Sequence, residues 1–223
     1  MPERAIVYVD GFNLYFGLRG STGGNKKLTK RCYWLDIQKL AENIIQNRTL
    51  VAVKYFTARI KGDPRKENRQ NAFLDAIRFH CDKLRIFEGR YLLREMFCRG
   101  CHGISNKIVC SRCQAVNHLP EEKKSDVNVA SQMLKDAYEN LFDVAYLISG
   151  DSDLVPPIEI IRAMTPSKRV VVFFPPNRFS RELKDIANSH FFLKPVIINN
   201  SLLPREVQRP DGKKITIPSE WDV

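Results

Sequence analysis

The sequence predicts an α/β fold: a central, mainly parallel sheet with helices on both faces. Short β-rich runs alternate with segments of helical periodicity, the pattern that βαβ units produce. The clearest runs, "RAIVYVD", "VAYLISG" and "KRVVVFFPP", are almost continuously apolar, as strands covered on both faces are. With 223 residues, 43% of them hydrophobic, the chain can bury one substantial core and carry a small satellite module.

Taken in order, "RAIVYVD" reads as a strand ending at Asp10, and "STGGNKKLTKR" as an exposed basic loop. "WLDIQKLAENII" sets Leu35, Leu40 and Ile44 near helical spacing. "TLVAVKYFTARI" is a second strand, "KGDPRKENR" a second basic loop, and "ENRQNAFLDAIRFHC" a helix bearing Phe73, Ile77 and Cys81. "KLRIFEGRYLL" reads as a strand at or near an edge. "DVNVASQMLKDAYENL" puts Val127, Ala130, Leu134, Ala137 and Leu141 on one stripe, expected to pack on the sheet. "VAYLISG" and "KRVVVFFPP" supply two further strands. From Lys194 the character changes, and "EVQRPDGKKITIP" resembles a hairpin turning at Asp211 and Gly212. The expected division is a main domain over 1–95 and 118–195, an inserted module over 96–117 and a C-terminal arm over 196–223.

Lys and Arg number 36 against 25 Asp and Glu, a formal charge of +11. Such a balance favours a polyanionic partner, most often nucleic acid. A membrane partner is not expected, because there is no basic amphipathic helix with a strong apolar face and no apolar run of spanning length. The start lacks a basic segment followed by a long apolar stretch, so the expectation is a soluble, cytoplasmic protein. The sequence specifies no oligomeric state.

Cys98 and Cys101 in "CRGC" and Cys110 and Cys113 in "CSRC" give C-x2-C-x8-C-x2-C. Two such pairs can present four thiolates tetrahedrally to one structural Zn2+, closing its shell. A disulfide reading needs an oxidising compartment, and a redox C-x-x-C needs only one pair. His102 and His118 are possible substitute ligands; Cys32 and Cys81 read as packed thiols.

Four acids carry the other signal. In an open parallel sheet, ligands bind beyond the carboxyl ends of the strands. Asp10 ends the first strand, Asp151 and Asp153 follow "VAYLISG", and Asp126 opens the helix before that strand. Each has a bland alternative: Asp153 as cap of the helix from Leu154, Asp126 or Ser125 as cap of the helix after it, Asp10 as strand end. Together the alternatives weaken. Two carboxylates about 4 Å apart repel by about 4 kcal/mol at an effective dielectric near 20, so clustering needs a proton or a cation. Mg2+ or Mn2+ takes oxygen ligands, binds phosphate through one or two carboxylates, and can activate water for phosphodiester hydrolysis.

The segments "IVYVDGFNLY", "KKSDVNVASQML" and "YLISGDSDLVPPI" resemble the NYN domains, a branch of the PIN-like nucleases, over about Ala5 to Leu193. The resemblance implies a Rossmann-like domain with a metal-dependent, usually RNA-directed nuclease site. It implies metal binding by Asp10, Asp126, Asp151 and Asp153, with Asn13 orienting a carboxylate or water. Ser149 would bond an Asp or a phosphate, and Lys123 would contact substrate. Where many relatives carry a further acid, this chain has Gln132.

The expected function is therefore an Mg2+- or Mn2+-dependent endoribonuclease; the alternative is a non-catalytic RNA-binding or protein adaptor with a vestigial acidic pocket. Candidate phosphate contacts are Arg59, Lys61, Arg65, Lys66 and Arg69, with Lys26, Lys27, Lys30 and Arg31. Arg99, Lys107 and Arg112 add candidates in the cysteine module; Tyr15, Phe16, Tyr33 and Trp34 could stack unpaired bases, but aromatics at these spacings are more often core.

Overall fold

Alternate residues of the central strands face two separate apolar clusters, and this divides the core of the computed structural model into two layers. The structure describes residues 2–22, 27–92, 96–98, 100–102, 104–105, 110, 112–113 and 121–223. In chain order the elements are β1 (Arg4–Asp10), α1 (Gly11–Arg19), a 3-10 turn (Lys30–Tyr33), α2 (Ile37–Ile45), β2 (Thr49–Thr57), α3 (Pro64–His80) and β3 (Leu84–Glu88). Then come β4 (Arg90–Leu92), β5 (Met96–Phe97), β6 (Ile104–Ser105), β7 (Glu121–Lys123), α4 (Ser125–Tyr138) and β8 (Val144–Ile148). A 3-10 turn (Ser152–Leu154), α5 (Val155–Met164), β9 (Arg169–Phe174), α6 (Arg181–Ile186), β10 (Ser189–Phe192), α7 (Pro195–Asn199), β11 (Glu206–Gln208) and β12 (Lys214–Thr216) complete the chain.

Six strands form one sheet in the order β3-β2-β1-β8-β9-β10, every neighbouring pair parallel. Counted along the chain this is the order 3-2-1-4-5-6, with its reversal between β1 and β8. The expected α/β class is observed, and β3 is the edge the sequence suggested. Val7, Val9, Val53 and Tyr55 face α1, α2 and α3, whereas Ile6, Tyr8, Phe56 and Leu147 face α4, α5 and α6. Among the described residues, no helix is long and apolar enough to cross a membrane.

Two expectations are corrected, and Trp34 takes the core role of its two alternatives. The stripe on α4 is displaced: Val127 and Leu141 are exposed, while Val129, Met133, Asp136 and Ala137 are buried. The helix is turned so that Asp136 reaches Lys54 of β2, 2.7 Å away, a buried ion pair that apolar periodicity does not reveal. Most of "KGDPRKENR" is not a loop but the first turns of α3, started by Asp63, whose carboxylate accepts from the Arg65 and Lys66 amides, with Pro64 in the first turn. Trp34 is no stacking ring: it is fully buried and donates through Nε1 to the Pro204 carbonyl.

The tail does form a hairpin, β11 against β12, with Gly212 at a positive φ of 80°. Leu203, Val207, Ile217 and Trp221 lie in the same apolar cluster as β1 and α2.

At the opposite end of the sheet from Asp10, Arg4 donates to both carboxylate oxygens of Asp143, at 2.8 and 3.2 Å. These bonds hold the Asp143 carboxyl well below the usual carboxylate range, at about 2. A carboxyl lowered by folding contributes stability above its unfolded value of about 4 and loses it as pH falls toward 2. Asp143→Asn should therefore lower the thermal midpoint at pH 7. The gap to wild type should close between about pH 4 and pH 2; a gap that stays constant in melts across that range would refute this role.

Candidate active site

Asp10 stands at the carboxyl end of β1 and also caps α1: its Oδ1 accepts from the Asn13 amide at 3.0 Å. Its Oδ2 accepts from Ser149 Oγ at 2.8 Å, from the end of neighbouring β8. Ser149 Oγ in turn accepts from the Asp151 amide at 3.1 Å, and Asp151 Oδ1 caps the following turn by accepting from the Asp153 amide at 3.1 Å. Asn13 Oδ1 accepts from the Gly150 amide at 3.0 Å, so α1 grips the loop after β8 directly. One hydrogen-bonded chain thus joins the two strands that flank the reversal of strand order, where crevices form in such sheets.

Asp126, half-buried in the first turn of α4, enters from the other face. Carboxylate oxygens of Asp10, Asp126 and Asp151 all lie within 4.8 Å of one another. Asp153 is exposed and outside that trio, though close enough to raise the Asp126 carboxyl. Burial pushes Asp10 up to about 6; the Asn13 amide and Ser149 hydroxyl oppose the rise, and Asp126 and Asp151 add to it. Burial, then Asp151 and Asp153, raises Asp126 as well. Three carboxylates this close, one of them buried, fit a divalent cation, which oxygen donors at this spacing suit and which offsets their charge.

The capping roles are redistributed relative to the sequence reading. Asp10 and Asp151 are caps, whereas Lys124 before α4 and Leu154 before α5 provide no side-chain cap. Being caps does not remove Asp10 and Asp151 from the cluster, since each carboxylate has a second oxygen. Ser149 is fully buried, its hydroxyl engaged by Asp10 and Asp151. Gln132 points elsewhere, accepting from Lys54 Nζ at 2.8 Å. Lys123 ends β7, with its side chain outside the described residues, as are Lys26, Arg99, Lys107 and His118.

Two glycines beside the acids, in "DGFN" and "SGDSD", have a packing role that the sequence reading did not assign. A Cβ on Gly11 would lie 2.6 Å from the Tyr55 ring and 2.7 Å from the Phe56 carbonyl. Gly150 would meet Arg178 at 3.0 Å. Gly11 also borders a cavity of about 370 Å3 walled by Phe12, Tyr15, Tyr33, Phe73 and Trp221. Several expected phosphate contacts are tied to acids instead: Arg59 to Glu88, Lys66 to Asp63, Arg69 to Glu220 and Arg31 to Asp222.

Sγ atoms of Cys98, Cys101, Cys110 and Cys113 likewise lie within 4.8 Å of one another, and no disulfide joins any of the six cysteines. Backbone amides of Cys113 and Arg112 lower the Cys110 thiol to about 6, and those of Cys101 and Gly100 lower Cys98. Lowered thiols favour the thiolate, the form that ligates metal. His102 is exposed and outside the cluster. Burial instead pushes Cys32 and Cys81 up to about 12, as packed thiols.

Comparison with known proteins agrees with this architecture. The chain is similar to 6-hydroxy-3-succinoylpyridine 3-monooxygenase HspA of Pseudomonas putida, 28% identical over 251 residues that cover 99% of this chain and 76% of that protein. A crystal structure of a protein of unknown function from Vibrio parahaemolyticus shares the fold with a TM-score of 0.54 at 20% identity, covering 91% of this chain and 97% of that one. The model of the NYN domain matches residues 4–194, most of the chain, and the chain belongs to the NYN domain family.

Proposed function

We propose that the protein is a divalent-metal-dependent nuclease, acting in the cytoplasm as an endoribonuclease. The observation that carries this reading is the convergence of Asp10, Asp126 and Asp151, from three separate parts of the chain, beside the reversal of strand order. Asp10, Asp126 and Asp151 would hold Mg2+ or Mn2+, with Asp153 close by; such an ion, when bound, activates water and offsets charge on phosphorus and the leaving oxygen. Ser149 and Asn13 act as positioning residues. Ser149 fixes Asp10 against Asp151, and Asn13 holds the loop through Gly150. The basic surface, with Lys123, holds the phosphate backbone. The four cysteines would close around a structural Zn2+ and leave it no position for substrate.

Purified protein should cut end-labelled RNA with Mn2+ and not with EDTA. Asp151→Asn should lose about a hundredfold or more of that rate, from several kcal/mol of charge stabilisation at about tenfold per 1.36 kcal/mol. Unchanged cleavage by the variant would reject the site. Tight RNA binding without cutting would favour the adaptor.

A second reading has one observation in its favour, the aromatic cavity beside Asp10. On it, the enzyme oxidises a small heteroaromatic acid, as the name of the Pseudomonas putida relative states of that protein. Offering RNA and 6-hydroxy-3-succinoylpyridine in parallel, the latter with a reductant and oxygen, separates the two.

A further inference from the structure

We infer that the cavity beside Asp10 is a base-binding subsite, which takes an unstacked nucleobase of the single-stranded nucleic acid whose phosphate the acidic trio engages. The inference rests on the nuclease reading and deepens it by naming where the substrate strand lies.

The cavity, about 370 Å3, falls in the size range of small-ligand sites, about 300–1,000 Å3. Its walls are rings from several separate parts of the chain. Tyr15 of α1 meets Tyr33 with ring centres 5.4 Å apart at 53°, and Tyr33 meets Trp221 edge-on at 5.7 Å. Phe12, Tyr15 and Tyr33 are half-buried, whereas Leu14 and Leu18 of α1, which also line the cavity, are buried. These rings keep surface open to the cavity, as a stacking platform must.

Cations stand around this aromatic floor. Arg19 and Lys61 line the cavity, are exposed, and make no ion pair among the described residues. At the other side Gly11 joins the cavity wall to Asp10. A lone apolar ring would satisfy only the floor. A nucleic-acid strand satisfies all three parts: a base on the rings, one phosphate toward the acids, and a flanking phosphate on Arg19 and Lys61. Glycine at position 11 lets the start of α1 pack closely on β2, since a Cβ there would meet Tyr55 at 2.6 Å. The C-terminal segment contributes directly, because Asp222 pairs with Arg31 at 3.1 Å and Glu220 with Arg69 at 2.8 Å, seating Trp221 between them. Trp221 is thus a specificity element supplied by a region outside the 4–194 match.

The test measures binding of ten-nucleotide single-stranded RNAs, intact or with one abasic residue at each position in turn, by fluorescence anisotropy without added divalent ion. Wild type should lose about tenfold to a hundredfold in affinity at one abasic position, the range of base–aromatic stacking. Tyr33→Leu should lose as much for the intact strand and show no further loss at that position. Lys61→Ala should weaken every strand alike, abasic or not, as a phosphate contact does. Trp221 emission should be quenched by the strand in wild type and not in Trp221→Phe. A folded Tyr33→Leu that binds all strands like wild type overturns the proposal. If that variant does not fold, absence of Trp221 quenching at saturating RNA overturns it. So does binding of 6-hydroxynicotinate with the same quenching when no strand binds. No step depends on cleavage, so a protein that binds in this way but never cuts RNA would sink the nuclease reading alone.

Discussion

Asp136→Ala is expected to destabilise the protein by about 3–5 kcal/mol, the usual loss when one partner of a buried ion pair is removed. In a chain of this size that lowers the thermal midpoint by about 10 °C. The reason is how little else serves Lys54. Its ammonium sits between Asp136 and Gln132 Oε1, at 2.7 and 2.8 Å, and above the Phe87 ring at 5.5 Å. Asp136 also accepts from the Tyr8 hydroxyl at 2.6 Å, in the centre of the sheet. Burial and Asp136 together raise that phenol well above its usual value, so Tyr8 stays a donor. Without Asp136, a charge and a phenol remain buried with one neutral acceptor between them. Lys54→Met combined with Asp136→Leu removes both charges and should recover most of the loss. Urea unfolding of the two single variants and the pair checks this. Single losses below about 1 kcal/mol would mean that water reaches the pair.

Asp10→Asn should separate stability from activity. Asparagine caps a helix as well as aspartate does; with its one oxygen on the Asn13 amide, its side-chain NH2 takes the place of Oδ2 and can donate to the Ser149 hydroxyl. The variant also removes a carboxyl that burial and two neighbouring acids push up to about 6. We expect a thermal midpoint equal to or above that of wild type, with metal-dependent cleavage reduced about a hundredfold or more. Added Mn2+ should raise the midpoint of wild type and leave the variant unmoved. Ser149→Ala should lose about tenfold to a hundredfold, the range for a residue that orients a ligand. A variant at Asp10 that unfolds, or that still gains stability from Mn2+, would show that the carboxylate serves only as a cap.

Much of this was legible in the sequence. Strands buried on both faces announce themselves by unbroken apolar runs, and acids at their carboxyl ends point to one edge. What escaped was set by contacts between distant segments. The α4 stripe was misplaced because a charged residue, Asp136, holds a core position through Lys54. The start of α3 read as a loop because its charges are cap and first turn. Trp34 and Tyr33 are adjacent aromatics, yet one is sealed under Pro204 while the other lines a cavity. No local pattern separates them. Trp221 belonged to a tail without a readable role until the fold brought it to Tyr33.

The first strand lies in the middle of the sheet, between β2 and β8, and Asp10 is 139 residues from its partner Ser149. A ribosome adding about 5–20 residues per second needs roughly ten seconds to bridge that gap. During this interval β1 has one flank open and Asp10 lacks its companions. The acidic trio is therefore complete only once synthesis has passed Asp151, so the carboxylates that could share a cation meet late in the making of this sheet.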